Sequence, residues 1–305
     1  MPDARRASPR GFLTAAERRL RRALASRLAP PERPATYPIV LDYPVRPEPR
    51  FGYGKPPHPE LYDLYDRHRE QFVVLLQSFL EYSKPLTRIP LDSQDPRSPY
   101  WCNGSFQGLD AVALYCLISK NRPHRYVEIG SGNSTKWARR AAQDQDVSLH
   151  ITSVDPVPRA EIDDLCDHIE RSPLEDVDLS MFDKLGPGDI FFVDGSHRCF
   201  MNSDVTVVFT ELLPRLAPGV LVHIHDVFIP WDYPPQMAEW YFSEQYLAAA
   251  YLLSGEALFE VVLPNFFVCI EPSLHEILSP LWSTLTWAAV PTNGTSLWLQ
   301  RAGLS

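Results

Sequence analysis

The feature that most constrains this chain is a regular alternation, from Trp101 onward, of short apolar segments with helical patterns. Six short segments are rich in apolar and strand-favouring residues, at 125–129, 150–154, 189–193, 220–224, 259–263 and 295–299, and a further short strand is predicted near 168–171. Helical patterns fall at 108–120, 134–143, 158–166, 174–185, 202–216 and 241–254. Continuously apolar strands that alternate with helices indicate a parallel sheet covered on both faces. The pattern therefore predicts a doubly wound, Rossmann-like α/β fold with seven mostly parallel strands and helices on both faces.

The first hundred residues have a different composition. Of the 30 prolines, 14 lie within 30–99, and proline fixes φ and removes a backbone donor. We predict one helix here, over 61–82, and interpret 1–100 as a proline-rich arm or lid attached to a main domain over 101–305. Residues 1–33 carry nine Arg against three acidic residues, a net charge of +6, and 1–29 has the pattern of an amphipathic helix. Such a helix binds anionic lipid or an acidic partner; alternatively, the segment is a solvated arm, or a helix that packs on the protein's own acidic body.

Charge and cysteine usage exclude several classes of protein. The formal charge of −9 argues against a dedicated nucleic-acid binder. No apolar run approaches the ~18 residues of a membrane span. The five cysteines are scattered without a CxxC motif, which predicts reduced thiols and a cytoplasmic protein. We expect a small-molecule partner, and the oligomeric state, including a homo-oligomer, is left open.

Ligands of doubly wound sheets bind beyond the carboxyl ends of the strands. The first strand of the main domain leads into Glu128-Ile-Gly-Ser-Gly-Asn-Ser-Thr135. Gly130 and Gly132 permit a tight turn and close approach of a ligand, and the start of the next helix attracts negative charge. A dinucleotide-binding fingerprint would have a third glycine at position 135, where this chain has Thr.

Two carboxylates flank this turn. Asp155 follows the second strand, where a carboxylate can accept both hydroxyls of a ribose. Glu128 would repel a pyrophosphate and attract an ammonium group, although it could instead cap local amides. An amino acid joined to a nucleoside, S-adenosylmethionine (SAM), fits this pair better than NAD does. The predicted cofactor-binding residues are Glu128, Gly130, Gly132, Asn133, Ser134 and Asp155.

Polar groups also follow two later strands, as Asp194-Gly-Ser-His197 and as His223-Ile-His-Asp226. Because these strand ends lie close together in such a sheet, the groups are expected to converge. Asp194, Asp226 and His225 would suit Mg²⁺ or another divalent cation, and Asp194 and His197 are the predicted catalytic pair, with the histidine as general base. In regular strand geometry His223 and His225 share one face and Asp226 points to the other, so all three cannot be ligands. We expect His223 to be a buried, hydrogen-bonded histidine.

A rigid aromatic turn, Pro230-Trp-Asp-Tyr-Pro-Pro235, follows the second of these strands. Aromatic faces suit sugars and ring-shaped substrates. Trp231 and Tyr233 are therefore the predicted substrate wall.

The glycine motif, Asp155, the Asp194–His197 motif and the closing 294–299 segment resemble a class I SAM-dependent methyltransferase. More narrowly, they are similar to the macrolide-sugar O-methyltransferases of the macrocin and mycinamicin type, over about 101–301. The resemblance implies that Glu128 meets the methionine amino group, that Asp155 holds the ribose and that His197 is the base. Metal-dependent members have two acids where this chain has His225-Asp226, which weakens the predicted cation site.

The sequence therefore predicts a SAM-dependent methyltransferase acting on a hydroxyl of a sugar or glycoside-like small molecule, with metal assistance left open. A Rossmann-like NAD-dependent oxidoreductase is the first alternative. The second is a non-catalytic protein of methyltransferase fold that binds a partner through its basic arm.

Overall fold

The computed structural model describes residues 43–255, 258–285 and 290–303. The chain divides into two compact units, Met1–Glu48 and Pro49–Ser305. Only residues 43–48 of the first unit are described, so the predicted basic helix over 1–29 lies outside the described residues.

The second unit is built on one seven-stranded sheet. Its strands are β1 Arg125–Ile129, β2 His150–Val154, β3 His168–Glu170, β4 Ile190–Val193, β5 Leu221–Ile224, β6 Phe259–Pro264 and β7 Leu297–Arg301. The strand order is β3-β2-β1-β4-β5-β7-β6. The first five strands pair in parallel, and β7 runs antiparallel between β5 and β6. The predicted Rossmann-like α/β fold with a mostly parallel seven-stranded sheet is confirmed.

The helices of this unit coincide with some of the predicted positions and add several beyond them. They are α1 Pro59–Arg67, α2 Arg69–Phe79, α3 Ser83–Leu86, α4 Gly108–Asn121, α5 Asn133–Asp144, α6 Asp204–Val207, α7 Glu244–Leu253, α8 Asn265–Ile270, α9 Pro272–His275 and α10 Ser279–Leu285. In the described part of the chain, no helix is long and apolar enough to cross a lipid bilayer.

Two predicted helices are wrong. The 158–166 segment contains only a 3₁₀ turn, Asp163–Leu165, and Ile162 is its single buried apolar side chain, so it lacks an apolar face to bury. The 174–185 segment forms two 3₁₀ helices, Leu174–Asp176 and Leu179–Lys184. The Asp178 side chain accepts a hydrogen bond from the Ser180 amide and so starts a second helix inside the segment.

Two further predicted helices are interrupted. The 61–82 helix is two helices, α1 and α2, that meet at His68, where the backbone leaves helical geometry with φ −97° and ψ 6°. The 202–216 helix begins as α6 and continues as a π-helical turn, Val208–Leu212, followed by a 3₁₀ turn. Irregular hydrogen bonding of this kind shifts the helical face that meets the sheet.

The core lies around β4, the strand between β1 and β5. Phe192 on β4 is fully buried, and its ring lies 5.5 Å from that of Tyr126 on β1 and 6.4 Å from that of Trp298 on β7. On the neighbouring strand β5, the ring of His223 stacks on Phe192 at 3.7 Å, and its Nε2 lies 2.7 Å from the Ser296 hydroxyl. The prediction of a buried, hydrogen-bonded His223 is confirmed.

Apolar residues of the proline-rich region belong to this same core. Leu64, Phe72, Leu76 and Phe79 of α1 and α2 are buried within it. Residues 49–100 therefore contribute structure to the compact unit that carries the sheet.

We expect Phe192→Ala to lower the free energy of unfolding by about 3–5 kcal/mol, because it removes a ring that contacts three strands and leaves a cavity. Val74→Ala on α2 is the control, since Val74 is 66% exposed and surface truncations change stability by less than about 0.5 kcal/mol. Chemical denaturation measures both. Equal losses in the two variants would contradict a core centred on β4.

Candidate active site

The turn after β1 brings two strand ends into contact. Gly130 has φ +76°, and a Cβ there would lie 1.8 Å from the carbonyl oxygen of Asp194 at the end of β4. Only glycine fits at this position, since any side chain would collide with the neighbouring backbone. Gly132 is different: its backbone is extended, and no atom lies within 4 Å of where its Cβ would be. The space above Gly132 is therefore open rather than filled by protein.

Asp155 lies beside this turn at the end of β2. One of its carboxylate oxygens accepts the Ser131 amide at 2.8 Å, and the other accepts the Val157 amide at 2.8 Å. Each oxygen keeps a lone pair for a further donor. The carboxylate is thus held in place by backbone amides while it borders a cavity.

Glu128 lies beneath the turn and is fully buried. It accepts hydrogen bonds from the hydroxyls of Tyr126, Ser134 and Thr135, the last two from the first turn of α5. Burial raises the pKa of Glu128 to about 7, although these hydroxyls oppose the shift. The carboxylate anchors the start of α5 to the end of β1, and its predicted contact with an ammonium group stays a prediction.

Asn133 ties a loop over the turn. Its side-chain amide donates to the Ser105 hydroxyl at 2.8 Å and to Asn103 Oδ1 at 3.3 Å. Phe106 follows Ser105 in this loop, and the centroid of its ring lies 5.5 Å from that of His225. The 103–106 loop therefore covers the edge of the sheet where the strands end, a feature that no sequence pattern indicated.

A cavity of about 540 Å³ opens above the turn. Its lining includes five of the predicted cofactor-binding residues, namely Gly130, Gly132, Asn133, Ser134 and Asp155. Glu128 is not among the described residues that line it. Sequence reasoning missed several others that do, including Ser105, Phe106, Leu174, Phe200, Met201 and Asn202. A cavity of this size and mixed polarity suits a nucleoside-sized ligand.

Asp194 extends this cavity toward the ends of β4 and β5. His197 Nε2 lies 3.2 Å from Asp194 Oδ1 and 3.7 Å from Asp226 Oδ2. His225 Nδ1 lies 3.4 Å from the same Asp194 oxygen. The predicted convergence of these four residues is therefore present in the structure.

Two carboxylates that sequence reasoning missed complete the group. Glu244 Oε2, on α7, lies 2.9 Å from His197 Nδ1, and Asp110 Oδ2, on α4, lies 3.4 Å from His225 Nε2. Carboxylates and imidazoles thus alternate in the order Glu244, His197, Asp194, His225 and Asp110. Glu244 follows Ser243 at the start of a helix, where an acidic residue is expected from capping alone, so its distant partner gave no signal.

His197 and Asp226 both have left-handed backbones, with φ 59° and 54°. This conformation costs energy for residues other than glycine, and it persists where the surrounding structure enforces it. Here the backbone amides of Ser243 and Glu244 donate to the His197 carbonyl. The left-handed turn at Asp226 ends the strand alternation, which lets Asp226 approach His197 while His225 approaches Asp194.

The carboxylates and imidazoles in this group stabilise each other's charged forms. Burial alone would raise the pKa of Asp194, but the charge of His225 and the hydrogen bonds from both histidines hold it well below its usual range. Burial alone would lower the pKa of His197, but its hydrogen bonds to Asp194 and Glu244 raise it to about 10. At neutral pH, Asp194 is therefore ionised and His197 is protonated.

The predicted metal ligands do not fit a divalent cation. Asp194, Asp226 and His225 direct their donor atoms at one another and at His197. A metal-ligating imidazole must present an unprotonated nitrogen, whereas both His225 nitrogens face carboxylates and its pKa is raised, against the effect of burial, by Asp194 and Asp110. Within the described ranges, no group of three or more His, Cys, Asp or Glu side chains is arranged to hold a metal.

The predicted substrate wall lies away from the cavity. Tyr233 is buried, and its hydroxyl accepts the Gln245 amide at 3.1 Å. Trp231 packs against Phe266, at 5.4 Å between ring centroids, and against Tyr53 at 5.1 Å. Neither is among the described residues that line the cavity. Both aromatic rings stabilise the turn after β5, and Phe200 and Met201 border the cavity instead.

Part of the chain is similar to a known protein family. Residues 127–227 match the family model described as a methyltransferase domain. The matched residues run from β1 past β5 and include the glycine turn, Asp155, Asp194 and Asp226. A 99-residue stretch is 33% identical to an uncharacterized protein of Archaeoglobus fulgidus. That match covers 28% of this chain and only 42% of the relative.

Solved structures with related topology are distant. A methyltransferase of Podospora anserina, PaMTH1, solved with SAH, has a TM-score of 0.38 and 16% identity over 79% of this chain and 96% of its own. An O-methyltransferase from Bacillus cereus in complex with SAH has a TM-score of 0.37 and 14% identity over 75% of this chain and 91% of its own. Scores this low assign neither a function nor a ligand to this chain.

The raised pKa of His197 predicts a pH-dependent stability. A folded-state pKa of about 10, above the ordinary 6.5, contributes stability that is fully present below pH 6.5 and is lost as the pH rises toward 10. The free energy of unfolding should therefore fall across this range. In His197→Gln, which cannot titrate, the fall should be smaller. Chemical denaturation at several pH values measures it, and identical profiles for the two proteins would show that His197 keeps its ordinary pKa.

Proposed function

We propose that this chain, whose residues 127–227 carry a methyltransferase domain, transfers a methyl group from SAM to a hydroxyl of a small-molecule acceptor. The observation that carries the proposal is the cavity at the ends of β1, β2 and β4. Its open glycine turn and anchored Asp155 are continuous with the ionised Asp194. A cofactor site and a group able to receive a proton therefore share one space.

The cofactor side of the cavity would bind a nucleoside through Asp155. Two backbone amides already orient its carboxylate, so no entropy is lost in positioning it when ribose hydroxyls bind. The open space above Gly132 would admit the methionine portion close to the backbone. When bound, SAM supplies a methyl group already activated by its sulfonium.

Asp194 is the group that we propose receives the acceptor proton. Its side chain is 29% exposed and borders the cavity, whereas the His197 side chain is 7% exposed and protonated. As the new carbon–oxygen bond forms and the carbon–sulfur bond breaks, the hydroxyl becomes strongly acidic. A carboxylate is then a sufficient base, even with its low pKa. His197 holds Asp194 in position by donating a hydrogen bond from Nε2.

The acceptor would be a hydroxylated molecule that also carries apolar surface, such as a sugar or a glycoside. Phe106, Phe200 and Met201 supply apolar surface to the cavity, and Ser105 and Asn202 supply polar groups. Met201 is 97% exposed and Phe200 is 43% exposed, so both side chains are free to contact an acceptor. The apolar face of a sugar ring packs well against such side chains. Metal assistance is not part of the proposal because the donor atoms are paired.

Binding of the cofactor provides the first test. Wild-type protein should bind SAM in calorimetry, and Asp155→Ala should bind it about 1–3 kcal/mol more weakly through lost hydrogen bonds. Asp183→Ala is the control, since that exposed carboxylate pairs with Arg215 and neither residue lines the cavity. Titration of NAD in parallel tests the oxidoreductase alternative. Binding of NAD without SAM would overturn the proposed function.

The role of Asp194 predicts a selective loss of turnover. Asp194→Asn should lower kcat by about 10²–10⁴, the usual contribution of a positioned base, while SAM affinity changes little. Wild-type kcat should not rise between pH 6.5 and 9, because Asp194 is already ionised. If His197 were the base, it would have to lose its proton first, and kcat would then rise with pH toward about 10. Such a rise would return the role to His197.

A further inference from the structure

We propose that Glu244 is a positioning residue for the reaction, one that holds His197 so that Nε2 faces Asp194. The inference rests on the proposed function, because Asp194 is its reacting group. It concerns a side chain on α7, 47 positions from His197 in the chain. The contacts and the burial of Glu244 and His197 support the inference.

The contact between Glu244 and His197 is close and shielded from water. Glu244 Oε2 lies 2.9 Å from His197 Nδ1, and the Glu244 side chain is only 1% exposed. Its other oxygen, Oε1, has no hydrogen-bond partner among the described residues. A buried carboxylate with one oxygen unpaired is costly unless its remaining contact is strong. That contact is the one to His197.

The backbone reinforces the same geometry. The amides of Ser243 and Glu244 both donate to the His197 carbonyl, and the Cys199 amide donates to the Ser243 hydroxyl at 2.8 Å. Residues at the start of α7 therefore contact both the backbone carbonyl and the imidazole ring of His197. Phe242 closes the remaining side, with its ring 4.6 Å from the imidazole. Together these contacts hold the left-handed backbone of His197 and fix the direction of its ring.

The consequence is a defined donor at Nε2. With Nδ1–H directed to Glu244, the ring cannot turn to present Nδ1 toward Asp194. Nε2 then lies 3.2 Å from Asp194 Oδ1 at the edge of the cavity. Glu244 touches neither the cavity nor the proposed reacting atoms, so it acts through His197. Loss of such an orienting contact commonly costs about 10²-fold in rate, because small misplacements of reacting groups are expensive.

Two substitutions separate orientation from mere packing. Glu244→Gln keeps an oxygen that can accept from Nδ1–H, and Glu244→Ala removes it. We expect Glu244→Ala to lower kcat by about 10²-fold with little change in KM for SAM, and Glu244→Gln to retain most of the turnover. Asp189→Asn is the matched control. Asp189 is also a buried carboxylate, but it accepts backbone amides of His124, Arg125 and Gly186 at the opposite end of β4.

The control variant should lose stability and keep kcat per folded molecule. A second measurement does not depend on activity: ¹⁵N NMR of histidine-labelled protein, with His197 assigned by its absence in His197→Gln. Nδ1 of His197 should be protonated and hydrogen-bonded in wild type and in Glu244→Gln, and this signature should be lost in Glu244→Ala.

Unchanged ¹⁵N shifts in Glu244→Ala would overturn the inference, as would a loss of kcat in Glu244→Ala no larger than that in Asp189→Asn. Failure of the proposed function has a different signature. In that case wild-type protein neither binds SAM nor methylates any hydroxylated acceptor, while the NMR comparison still reports whether Glu244 orients His197.

Discussion

The close approach of β1 and β4 at their carboxyl ends is the constraint on which the candidate site depends. The Asp194 amide donates to the Ile129 carbonyl at 2.9 Å, and the Asp194 carbonyl lies where a side chain on residue 130 would be. The turn above β1 is therefore pressed against the first residue after β4. This contact places the open glycine turn and the Asp194 carboxylate in one cavity. With a larger residue at position 130 the strand ends would separate and divide that cavity.

The second organising principle is electrostatic. Two buried carboxylates, Glu244 and Asp110, and the partly exposed Asp194 alternate with two buried imidazoles, His197 and His225. Carboxylates buried beside one another would repel, and some would be neutralised by taking up a proton, whereas alternation lets each carboxylate face a positive group. The arrangement keeps Asp194 ionised beside an apolar strand end. It also explains why the predicted cation site does not form here, since the imidazoles already supply the positive charge.

The helices and loops around the sheet complete the site from distant parts of the chain. The 103–106 loop is held over the glycine turn by Asn133, and α4 presents Asp110 to His225 and to the amides of Thr295 and Ser296 just before β7. Helix α7 presents Glu244 to His197. Each of these contacts joins segments that are far apart in sequence. The geometry of the site therefore depends on the packing of the whole compact unit.

Local pattern determined a great deal of this protein. Apolar segments identified the central strands, because a strand buried on both faces is largely apolar, and all seven strands lie within two residues of their predicted positions. The small residues after β1 and the acids after β2 and β4 marked the correct edge of the sheet. Local propensity wrongly predicts a helix over 158–166, because it does not show that this segment lacks an apolar face to bury. Tertiary structure decided which groups meet: Glu244 and Asp110 reach the histidines only through folding, Glu128 lies beneath the turn, and Trp231 and Tyr233 pack away from the cavity. Burial and partner choice are properties of three-dimensional packing, and a linear pattern of residue types does not contain them.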